Sequence, residues 1–153
     1  MMDYLYPKIF TLATKEQMVA ALSGMESLGI KLNIGEVKIN QVESLHKLDD
    51  ISFGIADYDI EIRMELLNQT VRAPEVIESL EDSFKQSYGA TNMSYNESTT
   101  TLSFDGHKYV MCIKDPSYED EWYFLEYDPT NTMAFEMLID NEVLTKFIER
   151  TKN

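Results

Sequence analysis

The sequence predicts an α+β fold: one domain over residues 1–153, with about three helices packed on a mostly antiparallel sheet of five or more strands. Three observations predict it. The length suits a single domain, for which one core is sufficient. Several short segments alternate apolar and polar residues between turn residues, and three others repeat apolar residues at three- and four-residue spacing next to helix start or stop signals.

Lys8 to Thr11 reads as a short strand. Thr14-Lys15-Glu16-Gln17 has the spacing of a capping box, which starts a helix near 15–27 with Met18, Ala21, Leu22 and Met25 as its apolar stripe. Gly29 stands where a left-handed cap ends such a helix. Ile30, Leu32 and Ile34 then alternate with polar residues, as do Val37 and Ile39, so a turn is expected at Asn33-Ile34-Gly35-Glu36 between two strands. Val42, Leu45 and Leu48 suit either a helical turn or a buried loop. Ile51, Phe53 and Ile55 form one strand, and Ile60, Ile62, Met64 and Leu66 its antiparallel partner across a break at residues 57–59.

Pro74 fits the first position of a helix over 75–88, whose Val76, Ile77, Leu80, Phe84 and Tyr88 face inward and which Gly89 ends. Strands 99–104 and 108–113 flank Asp105-Gly106, a dipeptide suited to a tight hairpin turn. Asp115-Pro116-Ser117-Tyr118 makes the next turn, 121–127 the next strand, and Asp128-Pro129-Thr130-Asn131 a further turn. Met133 to Ile139 fits either type. A last helix over 141–150 directs Val143, Leu144, Phe147 and Ile148 inward.

Charge narrows the function classes. Twenty-seven acids against thirteen bases give a net charge of −14, which repels nucleic acid and anionic lipid and attracts basic proteins. Direct nucleic-acid binding is therefore not expected. Residues 1–48 are neutral, residues 49–82 hold ten acids against Arg63 and Arg72, and residues 115–142 hold nine acids and no base. The first ten residues lack the pattern of a signal peptide, no apolar run approaches the ~20 residues of a membrane span, and one cysteine, Cys112, forms no internal disulfide. A cytoplasmic location without membrane contact is expected, and the acceptor patterns at Asn68, Asn92 and Asn96 then carry no weight.

No motif assigns a catalytic residue, cofactor or metal. His46 and His107 lack metal-ligand spacing, and Asp57-Tyr58-Asp59-Ile60-Glu61 lacks the glycine and terminal glutamate of a calcium loop. The six glycines form no phosphate-cradling motif. Cys112 alternates with Val110 and reads as a buried, unreactive thiol.

Residues 115–128 interleave carboxylates with Tyr118, Trp122, Tyr123 and Tyr127, and aromatics beside carboxylates suit an interface for lysine and arginine. The alternative is a strand with Trp122 and Phe124 in the core and Tyr123 beneath a helix. The expected partner-binding residues are Asp115, Tyr118, Glu119, Asp120, Glu121 and Tyr123, with Tyr118 as the exposed anchor. A second acidic patch is Glu75, Glu78, Glu81 and Asp82. Together these features predict an acidic binding or inhibitor protein that neutralises a basic protein partner, in the manner of an immunity protein against a nuclease toxin. The alternatives are a domain with an apolar pocket that binds a small ligand or performs acid–base catalysis, and a self-associating subunit.

Overall fold

The computed structural model describes residues 2–89 and 92–152. Two 3-10 turns, Met2–Tyr4 and Pro7–Thr11, precede α1 (Lys15–Ser27), β1 (Ile30–Leu48), β2 (Ile51–Leu66), α2 (Pro74–Tyr88), β3 (Asn92–Asn96), β4 (Thr101–Lys114), β5 (Tyr123–Glu126), α3 (Met133–Leu138) and α4 (Asn141–Thr151). The strands form one five-stranded antiparallel sheet in the order β1-β2-β4-β3, with β5 also paired to β4. This is the expected α+β architecture. Residues 8–11, expected as a strand, lie instead in the second 3-10 turn, which Pro7 opens.

The helices follow their sequence signals. Pro74 opens α2, where its missing N–H costs nothing, and Gly89 ends it at a left-handed φ of 56°. Asp140 caps α4 by accepting a hydrogen bond from the Glu142 N–H at 2.8 Å. Gly29 takes φ 98° after α1. The apolar stripe of α1 is not enclosed, however: no residue of this helix is buried, and Leu22 is exposed.

The strands depart from expectation in number and length. Three expected turns do not form, because residues 33–36, 57–59 and 105–106 all run inside strands. Val42, Leu45 and Leu48 likewise belong to β1. The real reversals are at Asp49-Asp50, where Asp49 adopts φ 52°, and at residues 97–100, where Thr100 adopts φ 51°. Gly106 serves close packing: a Cβ there would lie 2.9 Å from the Cβ of Tyr88 and 3.2 Å from its carbonyl oxygen. The strand expected at 99–104 and the one at 108–113 are thus a single β4.

The chain forms two compact units, and β1, β2 and β4 contribute residues to both. Although one core is sufficient at this length, the buried side chains form two clusters.

The first unit comprises Met1–Lys15, Ile39–Tyr58 and Tyr109–Asn153. Its core takes Phe53 and Ile55 from β2, Met111 and Ile113 from β4, Tyr123 and Leu125 from β5, and Phe135, Val143, Leu144 and Phe147 from α3 and α4. Ile113 stands opposite Tyr123 and Met111 opposite Leu125 in the β4–β5 ladder, so one face of β5 is enclosed. Tyr127, Phe135 and Phe147 meet with ring centroids 5.3–5.5 Å apart.

The second unit comprises Glu16–Lys38 and Asp59–Lys108. Ile62, Met64 and Leu66 of β2 and Leu102 and Phe104 of β4 form its core, on which Val76, Ile77, Leu80, Phe84 and Tyr88 of α2 pack. Phe84 lies 4.1 Å from Phe104, centroid to centroid. β2 gives the first core Phe53 and Ile55, beside which Gly54 and Ala56 are also buried, and gives the second Ile62, Met64 and Leu66.

Candidate functional site

The loop between β4 and β5 carries most of the expected partner-binding residues, and the structure divides them into two groups. Asp115 and Tyr123 are buried, which removes both from any contact surface. Asp115 turns inward because three donors surround it. The Tyr6 hydroxyl donates to its Oδ2 at 2.8 Å, the Ser117 N–H donates to its Oδ1 at 2.9 Å, and the Lys8 ammonium stands 3.9 Å from Oδ2. Burial alone would raise its pKa. The hydrogen bonds from Ser117 and Tyr6 and the charge of Lys8 outweigh that effect and hold the carboxyl below its ordinary value. Burial, followed by the adjacent Asp115 carboxylate, pushes the Tyr6 hydroxyl well above its ordinary pKa.

Tyr118 is half-buried and is no free anchor. Its ring makes edge contacts with Tyr6 at 5.9 Å and Tyr123 at 6.0 Å. Burial again, with help from Asp115, raises its pKa. Asp115, Tyr6, Tyr118 and Tyr123 therefore form the support on which the loop rests.

The second group is exposed. Glu119, Asp120 and Glu121 face solvent, and Trp122 and Phe124 follow at 43% and 37% exposure. The alternative reading, with Trp122 and Phe124 in the core, fails for those two residues, which point outward, while Tyr123, expected in the binding surface, enters the core with Leu125. Asp120 pairs with Lys114 at 2.7 Å. Among the described residues no ion pair reaches Glu119 or Glu121. The loop thus presents two unneutralised carboxylates and an indole on a rigid aromatic base.

On α2, Glu75, Glu78 and Asp82 are exposed, Glu81 is half-buried, and Lys85 stands 3.7 Å from Asp82. The exposed acids share their face with Ser79, Ser83 and Gln86 but with no large aromatic. This patch belongs to the second unit and the β4–β5 loop to the first.

The first unit also holds a pocket of about 300 Å³ that sequence reasoning did not find, lined by Gln41, Glu43, Ile55, Asp57, Tyr109 and Arg150. Arg150 pairs with Glu43 at 3.1 Å, and Asp57 Oδ1 is buried without a hydrogen-bond partner among the described residues. Its lining is mainly polar. Only the broken alternation at Asp57 marks it in the sequence.

The remaining candidate groups are paired or enclosed. His107 Nδ1 lies 2.9 Å from Asp59, on β4 rather than in a turn. His46 lies 2.9 Å from the Lys146 ammonium and 3.2 Å from Glu142. Cys112 is buried, as its alternation predicts, and burial raises its thiol pKa. Among the described residues, no group of three or more His, Cys, Asp or Glu side chains could hold a metal ion, and no helix is long and apolar enough to cross a membrane.

Compared with protein-family models, curated proteins and solved structures, the chain matches none.

Proposed function

We propose that this chain is an acidic, cytoplasmic binding protein that engages and neutralises a basic protein partner, as an inhibitor or immunity-type protein does. The observation that supports this reading is the exposed run Glu119-Asp120-Glu121-Trp122, in a segment without lysine or arginine from 115 to 142. Carboxylates of one sign steer a cationic partner into encounter, and an indole beside them offers both apolar area and a face for cation–π contact. Trp122 takes the anchor role in place of Tyr118, whose ring is committed to Tyr6 and Tyr123. The acidic face of α2 is a second steering surface.

The test is photo-crosslinking in cells that express the protein naturally, with a photoreactive phenylalanine analogue at position 122 or position 79. The reading expects a covalent adduct from position 122 to a protein of high isoelectric point. An adduct formed from position 79 alone moves the site to α2, and adducts only to acidic or neutral proteins contradict the reading.

A further inference from the structure

The pocket of about 300 Å³ in the first unit has a carboxylate in its wall that no described residue compensates. Gln41 and Glu43 on β1, and Ile55 and Asp57 on β2, stand two apart on their strands, so each pair shares a face; Tyr109 of β4 and Arg150 of α4 complete the lining. All six belong to the first unit. Glu43 is satisfied at both oxygens, because Oε1 accepts from the Gln41 amide and Oε2 pairs with Arg150 at 3.1 Å. Asp57, by contrast, has no hydrogen bond or ion pair at either oxygen among the described residues, and its Oδ1 is buried. An ionised carboxylate partly removed from water is unfavourable until something of opposite charge meets it. Since Glu43 and Arg150 cancel, the lining keeps the negative charge of Asp57.

We infer that this pocket binds a small organic molecule through a primary ammonium group, with Asp57 as the counter-charge. The leftover negative charge calls for a cation. A metal ion is the wrong one, because it needs several oxygen ligands and Asp57 is the only unengaged carboxylate in the lining. A guanidinium is matched by two oxygens of one carboxylate at once, whereas an ammonium is a point charge that one oxygen can hold. With Oδ1 enclosed, Oδ2 is the oxygen left to a ligand, which favours the ammonium. Ile55 and Tyr109 add hydrocarbon and aromatic surface for a short apolar body, and the volume lies at the small end for ligand pockets. The site shares no residue with the acidic loop and stands whether or not that loop meets a basic partner.

The probe is phenethylamine, charged at neutral pH, titrated into the isotope-labelled full chain at about 150 mM salt, which screens loose attraction to the acidic surface. NMR should show saturable shifts at the amides of Gln41, Glu43, Ile55, Asp57, Tyr109 and Arg150, with a Kd of about 1 mM or below. Phenethyl alcohol, similar in shape but neutral, and hydrocinnamate, of opposite charge, should bind about tenfold or more weakly. Asp57→Asn keeps the shape and removes the charge, and should weaken the amine about tenfold or more, with the fold kept by circular dichroism. Glu97→Gln removes the same charge from an exposed position outside the pocket and should leave the affinity within about twofold. The shift map and the three probes on the wild type decide the matter even if Asp57→Asn does not fold. No saturable shift at these six positions overturns the inference. So do shifts confined to the acidic surfaces, equal binding of the alcohol, or an affinity that Asp57→Asn leaves unchanged.

Discussion

The hydroxyl of Tyr6 donates a 2.8 Å hydrogen bond to the buried carboxylate of Asp115, across 109 positions of sequence. It ties the N-terminal segment to the β4–β5 loop and decides which acids of that loop reach solvent. Tyr6→Phe keeps the ring in the core and removes only the donor. The expected cost is about 1–3 kcal/mol, because a buried acceptor loses its partner. Urea denaturation of the two proteins measures it, and equal midpoints would show that the bond contributes nothing.

Asp115 also makes a prediction for acid stability. Its folded pKa lies below the ordinary value of 3.8, so the stabilisation it gives is present above that value and is lost as pH falls through the lower folded one. The unfolding midpoint of the wild type should therefore drop below pH ~4. In Asp115→Asn that part of the slope is absent. The other lowered carboxylates, Asp3, Glu61 and Glu142, remain in both proteins, so the difference between the two curves isolates Asp115.

Two aromatic substitutions separate the support of the loop from its surface. Tyr118→Ala removes a ring packed against Tyr6 and Tyr123, and should cost about 2–3 kcal/mol of stability. Trp122→Ala changes an exposed side chain and should leave stability within about 1 kcal/mol. Denaturant unfolding decides between them, and the opposite ranking would place Trp122 in the core.

Glycine substitutions test the packing of the second unit. At Gly106 an added Cβ meets the backbone and Cβ of Tyr88, so Gly106→Ala should destabilise by about 1–3 kcal/mol. At Gly24, within α1, an added Cβ meets nothing within 4 Å, and Gly24→Ala should stabilise by about 0.5–1 kcal/mol. Thermal unfolding gives both signs. A neutral Gly106→Ala would mean that the dipeptide 105–106 tolerates a side chain and that α2 does not approach β4 there.

The contrast between Gly106 and Gly89 shows which parts of the fold a sequence discloses. Gly89 ends a helix, a local event whose signal lies in neighbouring residues, and α2 and α4 were legible for the same reason. Gly106 is a glycine because Tyr88 approaches it, and nothing adjacent distinguishes that from a hairpin turn. The faces of β5 were illegible too, since Trp122, Tyr123, Phe124 and Leu125 are all apolar and only the pairing of Tyr123 and Leu125 with Ile113 and Met111 decides which enter the core. For the loop, the sequence shows its carboxylates and aromatics. It does not show that Tyr6 captures Asp115, because that contact exists only after folding. The 300 Å³ pocket joins Gln41, Asp57, Tyr109 and Arg150 from distant positions, and the broken alternation at Asp57 is its one trace in the sequence.

The central claim is that Glu119, Asp120 and Glu121 steer a basic partner onto Trp122. Its most direct test is the association rate constant of the crosslinked partner with three proteins: the wild type, the variant with residues 119–121 changed to lysine, and the variant with Glu75, Glu78 and Asp82 changed to lysine. Rates are compared at about 50 and about 300 mM salt. The account predicts that reversal at 119–121 slows association by about tenfold or more and flattens its salt dependence, while reversal on α2 changes the rate less than about threefold. An unchanged rate for the 119–121 variant at both salt concentrations would contradict it.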